Sequence, residues 1–516
     1  MLSFEPMNFG RKINRVFLIY PPTRVMAESV KACMPPLGVA YLAAAVKDRC
    51  DVQVLDATVE GFQTEEMLDD GFTLRGLGYD EIIKRVGSYR PDLVGITCLF
   101  SGTFPVVREL TRRIKELDAN IIVGTGGTHP AFLPKECLQT SQLDFIALGE
   151  GEPTLRDVID SSETGQLEKI DGLAWRDSSG GIRIQPKTRY IKNLDVIPFP
   201  ARNLLPMELY PRFQIPHSLA FRHRRLANMI TSRGCNCRCT FCSSTRFWGG
   251  RWRARSARNV LDEIQELVDT WGIREIQFED DNITVDAARA KAIFKGMIDR
   301  KLNIRFNFPN GIAVWTLDEE TIDLMAEAGC YELVLAFESG AQEVLDLIVH
   351  KPLKLDRAVQ IARHVRKAGI RTLAFYIVGF PGETIEQIKR TFRYARIADT
   401  DMAYFFVANP LPGTELYNIV KECGWLKPGF NFERVSFTRM LYDTPDWKGE
   451  EVEALANREM VRYQLRSFFR HPTKLGRKFF TDILLRRPDY LLDSAVRFFK
   501  RNLAGTNADL NSGRKN

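Results

Sequence analysis

Short apolar runs rich in β-branched and aromatic residues alternate, from Arg15 to Val407, with stretches whose apolar residues recur at helical spacing. Strands joined through helices pair in parallel, so this alternation restricts the chain to an α/β architecture. Two sets of strands stand apart. Residues 15–20, 52–55, 93–98, 120–123 and 145–148 read as buried strands, with helices over 38–47 and 104–117, and predict a doubly wound parallel sheet. Residues 226–231, 275–278, 304–308, 333–337, 373–378 and 403–407 form a second set at the pace of a (β/α) barrel, with Val260, Ile264 and Leu267 giving one intervening helix its apolar face. Six repeats predict a partial (β/α)6 barrel, open on one side. Two helix starts carry capping-box patterns, Thr316 with Glu319 and Thr384 with Gln387.

Between the two sets lie an acidic helical stretch, a hairpin over 172–184 with Gly180-Gly181 at its turn, and a crossing segment in which Pro198, Pro200, Pro206, Pro211 and Pro216 oppose a long helix. The expected organisation is therefore 1–152, a linker over 153–225, a barrel over 226–425 and a small helical C-terminal region over 426–516.

The first barrel strand runs into Thr231-Ser-Arg-Gly-Cys-Asn-Cys-Arg-Cys-Thr-Phe-Cys242, where Cys235, Cys239 and Cys242 stand at spacing C-x3-C-x2-C. Three thiolates on one loop can hold a soft metal centre and leave one metal position open, whereas closed zinc and iron-sulfur sites take four protein ligands, often from two pairs. No second pair follows, since Cys330 and Cys423 each stand alone. The alternative is a zinc knuckle completed by Cys237 or His223. Ten cysteines scattered over 516 residues make no disulfide framework and fit a reducing compartment. No run of 18 apolar residues and no signal-peptide pattern in residues 1–15 is present, so a cytoplasmic location is expected. The net charge of +7 is mild, and the arginines crowding the cysteine loop suit a carboxylate or phosphate better than nucleic acid.

Ligands of such sheets sit at strand carboxyl ends, and those ends carry distinctive residues. In the first set Thr97-Cys98-Leu99 closes one strand and Gly124-Thr-Gly126-Gly127 the next, followed by His129. Met34-Pro-Pro-Leu-Gly38 opens a helix and Gly149-Glu-Gly-Glu152 closes the set. In the second set Glu279-Asp280-Asp281-Asn282, Glu338-Ser-Gly, Gly379-Phe-Pro-Gly-Glu383 and Asn409-Pro-Leu-Pro-Gly-Thr414 follow strands two, four, five and six.

The Thr97/Leu99 and Gly126/Gly127 elements resemble cobalamin-binding domains, and the cysteine loop with Phe241 and the ordered barrel motifs resembles the radical S-adenosylmethionine (SAM) enzymes. Over roughly residues 12–425 the chain resembles the cobalamin-binding radical SAM family, which includes carbon methyltransferases and the anaerobic magnesium-protoporphyrin monomethyl ester cyclase. The resemblance implies a 4Fe-4S cluster on Cys235, Cys239 and Cys242, and SAM beside Phe241, Asp280, Asp281 and Glu338 with adenine on Gly379. It further implies cobalamin cradled by Thr97, Leu99, Gly126 and Gly127, with His129 as a polar lining residue. The first strand is followed by Tyr20-Pro-Pro-Thr-Arg24, without the family's D-x-H-x-x-G loop, so cobalamin is expected without a histidine lower ligand. A flavin or nucleotide domain is the alternative for the first sheet; a helix cap for Asp280 or Asp281, and an arginine partner for Glu338, are the plainer readings of those residues.

The implied reaction is reductive cleavage of SAM, hydrogen abstraction by the 5′-deoxyadenosyl radical, and methyl transfer from methylcobalamin to an unactivated carbon. A radical oxidative cyclase with the same cofactors is the alternative, and a cobalamin or redox sensor without turnover a further one. The implied partners are a small-molecule, lipid-like or tetrapyrrole substrate and an electron donor such as flavodoxin or ferredoxin. In the basic tail, eight Lys or Arg face three Asp between Lys474 and Arg501, interleaved with Phe479, Phe480, Phe498 and Phe499. It reads as a helix packed on the barrel, or as a peripheral membrane contact or substrate lid.

Overall fold

The computed structural model describes residues 10–26, 33–177, 179–213, 221–436 and 438–470. The expectations for the basic tail, and for Pro216, lie outside the described residues.

The first sheet contains β1 (Arg15–Tyr20), β2 (Asp51–Asp56), β3 (Leu93–Thr97), β4 (Ile122–Gly126) and β5 (Phe145–Ala147), all parallel, in the order β2-β1-β3-β4-β5. Both faces are buried, which is why the strands read as continuous apolar runs. Along β1, Phe17 and Ile19 pack against helices Tyr79–Tyr89 and Phe104–Leu117, while Val16 and Leu18 pack against helices Leu37–Val46 and Gly151–Asp160. The expected hairpin forms as β6 (Leu173–Arg176) and β7 (Ile182–Gln185), and it continues this sheet beyond β5 as two antiparallel strands. A three-stranded antiparallel sheet of Thr23–Met26, Phe72–Arg75 and Glu65–Met67 was not legible in the sequence. Its strands are short and charged, held partly by the ion pairs Arg24–Asp70 (2.7 Å) and Arg75–Glu65 (3.0 Å).

The second sheet contains β8 (Leu226–Met229), β9 (Glu275–Phe278), β10 (Arg305–Ile312), β11 (Cys330–Glu338), β12 (Arg371–Val378) and β13 (Met402–Val407). The strands pair in parallel in chain order and β8 does not meet β13, so the barrel is partial and open. Its core is aromatic, with Phe294 stacked on Phe306 at 5.6 Å and Phe278 on Phe308 at 5.5 Å. The capping box at Thr384 forms as expected, but Thr316 caps nothing. Asp318, one residue before helix Glu319–Ala328, reaches the Thr321 amide at 2.7 Å, while the Thr316 hydroxyl donates to the Ala313 carbonyl.

The helix Gly449–Arg470 closes over the outside of β13. Tyr463, Ser467 and Gln464 donate to the carbonyls of Thr400 (2.7 Å), Asp401 (2.6 Å) and Ala403 (3.0 Å). No helix among the described residues is long and apolar enough to cross a membrane.

Candidate functional site

After β8 the chain leaves the sheet, and Ser232–Arg233 pairs antiparallel with Arg253–Ala254. This two-residue ladder closes the base of the loop that carries the cysteines. Gly234 opens the loop at φ +84, where a Cβ would lie 2.6 Å from the Arg251 carbonyl oxygen, so only glycine fits. The loop is tied to the segment after β11: the Thr240 hydroxyl donates to the Ile348 carbonyl at 3.0 Å, and the Thr240 amide to that of Val349 at 3.2 Å. Phe241 packs on Phe380 at 5.8 Å, fixing the turn before Cys242.

Cys239 and Cys242 are joined through a backbone hydrogen bond of 3.1 Å, and Cys235, Cys239 and Cys242 are each partly exposed. Cys237 is buried, its sulfur 3.3 Å from that of Cys239 and 3.4 Å from the His350 carbonyl oxygen. Among the described residues no three His, Cys, Asp or Glu side chains are already drawn into metal-binding geometry. The zinc knuckle loses its histidine: the His223 amide donates to Glu275 at the amino end of β9, whereas the cysteine loop leaves the carboxyl end of β8. What remains is an all-sulfur donor set on one loop, which fits an iron-sulfur cluster with an open iron. Burial pushes the Cys242 thiol up to about 12 and raises Cys235; Cys239 is raised first by its hydrogen bond with Cys237 and then by burial. Cluster loading must therefore displace protons from these thiols.

The barrel strand ends divide between structural and open groups. Asp280 is buried and spent: it accepts from the Thr231 amide at 3.1 Å, the Thr231 hydroxyl at 2.7 Å and the Ser232 hydroxyl, stitching β9 to the chain leaving β8. Asp281 is exposed over much of its surface, but its carboxylate is turned inward onto the Gly234 amide at 3.1 Å, and the loss of water there raises its carboxyl above the usual range. Asn282 is buried with its Nδ2 unpartnered among the described residues. Glu338, at φ +64, is held 2.7 Å from a buried Lys351, whose ammonium lies 5.0 Å from the Trp315 ring centre. The expected arginine partner of Glu338 is thus a lysine. Burial disfavours the Lys351 charge, but Glu338 and the nearby thiols outweigh it and the net shift is upward. Gly379 is covered: its amide donates to Glu383 at 2.7 Å, its carbonyl accepts from Tyr442, and a Cβ would meet Val452 at 2.9 Å. On its Cβ side the glycine is covered by the chain's own side chains. Burial raises Glu383 to about 7 despite its two backbone hydrogen bonds.

In the first sheet, Thr97 ends β3, and Leu99 and Phe100 beyond it are 49% and 61% exposed, an apolar rim at the carboxyl edge. A Cβ on Gly126 would make ordinary contact with Ala147 at 3.5 Å, but one on Gly127, at φ +120, would lie 2.3 Å from the Cys98 carbonyl oxygen. Gly127 is therefore fixed as glycine by the close approach of the Cys98 backbone, whereas Gly126 is not. We expect Gly127→Ala to destabilise the first sheet by at least about 1–2 kcal/mol, since left-handed strain adds to the clash, while Gly126→Ala stays near wild type; denaturant unfolding reads the difference.

His129 is buried, its Nδ1 2.9 Å from the Ser101 hydroxyl and its ring against Phe104, so it is held in the packing beneath helix Phe104–Leu117. Burial lowers its pKa from 6.5 to about 4, so the native imidazole stays neutral where the unfolded one protonates. Stability tied to His129 is complete above pH 6.5 and falls as pH drops towards 4. At pH 5 wild type should have lost about 2 kcal/mol relative to His129→Gln, measured as the change in their difference in denaturant stability from pH 7.

The two sheets present these ends to one another. Phe132, after β4, packs on Phe247 of the cysteine loop region at 6.4 Å and lies against Gly413 beyond β13. Lys351 and Glu383 escaped the sequence reading. Nothing in its spacing marks Lys351; Glu383 stood in a motif attributed to its glycines.

Comparison with known proteins agrees with this layout. Residues 23–159 match the B12 binding domain family and residues 229–395 the Radical SAM superfamily. A cytidylyl-2-hydroxyethylphosphonate methyltransferase of Streptomyces wedmorensis is 34% identical over 86% of this chain and 89% of its own length. An anaerobic magnesium-protoporphyrin IX monomethyl ester cyclase of Rubrivivax gelatinosus is 27% identical over 94% and 82%. The solved structure of the radical SAM methyltransferase TsrM of Kitasatospora setae, with cobalamin and a 4Fe-4S cluster bound, shares the fold at TM-score 0.64 and 21% identity, covering 81% of this chain and 76% of that one.

Proposed function

Because the chain belongs to the cobalamin-binding radical SAM enzymes, we propose that it methylates an unactivated carbon of a small organic substrate, using cobalamin, a 4Fe-4S cluster and SAM. When bound, these groups supply hydrogen-atom abstraction and a transferable methyl group, and the protein's contribution is binding, orientation and exclusion of water. In this reading Cys235, Cys239 and Cys242 hold the cluster, and the carboxylate of Asp281 together with the unpartnered Asn282 amide bind the polar end of SAM. Glu338 takes the ribose or substrate from its place beside Lys351, and Thr97, Leu99, Gly126 and Gly127 hold cobalamin without a histidine lower ligand. Asp280 and Gly379 act through packing and hydrogen bonding that shape these surroundings. The observation that supports this most is the approach of the two ligand-bearing strand edges through Phe132, Phe247 and Gly413.

The relatives act, by their names, on a cytidylyl phosphonate and on a magnesium tetrapyrrole. A small-molecule or tetrapyrrole-like acceptor and a flavodoxin- or ferredoxin-type electron donor are proposed here. Peripheral membrane contact near the C-terminal region is proposed from the exposed Val461, Leu465, Phe468 and Phe469 on helix Gly449–Arg470. The cyclase relative keeps ring formation as a second reading.

The test is anaerobic reconstitution with iron, sulfide and hydroxocobalamin, followed by SAM and a reductant. Formation of 5′-deoxyadenosine and S-adenosylhomocysteine with cobalamin retained supports methyl transfer. A chain that binds zinc and neither cofactor overturns the reading.

A further inference from the structure

The Gly149-Glu-Gly-Glu152 segment that leaves β5 has no part in the reaction as argued so far, yet both carboxylates are turned into the boundary between the two sheets. Arg233, immediately before Gly234, contacts Glu150 at 2.9 Å and Glu152 as well; Arg253, across the two-residue ladder, contacts Glu150 at 2.6 Å. The other Glu150 oxygen accepts from the Ile191 amide at 2.8 Å. Side-chain exposure is 0% for Glu150, 11% for Glu152, 7% for Arg233 and 9% for Arg253. Two carboxylates therefore face two guanidiniums, with their charges balanced inside the protein. A buried ionic contact of this kind adds little adhesion over an apolar one, but its forked hydrogen bonds fix a register that apolar packing leaves loose. The guanidinium of Arg233 also lies 5.2 Å from the Trp248 ring centre, and the Arg233 backbone runs directly into Gly234, whose amide donates to Asp281 at 3.1 Å.

We propose that Glu150, Glu152, Arg233 and Arg253 form a positioning clamp that sets the cysteine loop at a fixed distance from the cobalamin-binding sheet. The clamp rests on the function proposed above, and it acts through Arg233, the residue before Gly234, on the start of the loop that bears Cys235. None of its members is a catalytic residue.

The test is the distance distribution between cob(II)alamin and the reduced cluster, by pulsed dipolar EPR on the full chain loaded with both. Wild type should give one narrow distribution. Glu152→Gln and Arg233→Lys should each at least double its width, while Ile264→Ala, a destabilising change in the core under helix Ala257–Trp271, leaves it unchanged. Wild-type width in both clamp variants overturns the proposal. Should a variant not hold both groups, hydrogen exchange on the cofactor-free chain decides: amides of residues 234–242 exchanging at least ten-fold faster than in wild type, with helix Phe104–Leu117 unaffected, support the clamp, and equal rates overturn it. A wild-type chain that loads neither group would instead defeat the functional reading.

Discussion

Cys239→Ala should leave the reconstituted protein without its cluster and reduce SAM-dependent 5′-deoxyadenosine to background, while Cys237→Ser keeps both. Four cysteines lie within eight residues, so a ligand assignment has to say which one is dispensable. Three partly exposed thiols belong to the C-x3-C-x2-C set; Cys237 is buried, hydrogen-bonded to the His350 carbonyl and in contact with Cys239. Iron content of about four per chain in Cys237→Ser, and well below one in Cys239→Ala, is the expected pattern. Loss of iron in Cys237→Ser would make it a ligand and the open-iron argument would fall.

Lys351→Met should lower stability by about 3–5 kcal/mol, because it leaves Glu338 buried and without its partner. Glu338 is confined at φ +64, and its side chain is 8% exposed beside a Lys351 side chain that is 3% exposed. For a barrel of this size the fall in Tm should be on the order of 10 °C. The double variant Lys351→Met with Glu338→Gln should recover most of the loss, since both charges are then gone. If Glu338 contacts SAM or substrate as proposed, that stable double variant stays deficient in SAM cleavage. Full recovery of both stability and cleavage would confine Glu338 to a structural role.

The architecture was legible because the central strands of both sheets are parallel and largely buried, so each announces itself as an apolar run bounded by glycine or polar residues. The site was legible where the chemistry is sequence-local. The cysteine spacing and the glycines after β4 are set by loops whose geometry depends on their own residues. It was not legible where a group acts through a distant partner. Asp280 and Asp281 are adjacent and chemically identical, yet β9 turns one into Thr231 and Ser232 and leaves the other exposed. Gly379 carries a family-like motif, but Met440, Tyr442 and Val452, far along the chain, cover it. Lys351 and the Glu150–Arg233 contact appear only once long loops are placed in three dimensions.

The unclosed barrel has a consequence for how the chain survives in a crowded, protease-rich cell. Two outer strands, β8 and β13, lack a neighbour from the barrel, and such edges recruit strands from other molecules unless something guards them. The guards come from outside the barrel repeat: Arg202 donates to the Asn228 carbonyl on β8 at 3.2 Å, and helix Gly449–Arg470 lies over β13. A cut between the barrel and that helix would therefore do more than remove a tail. It would uncover the edge of the last strand to pairing with strands of other molecules.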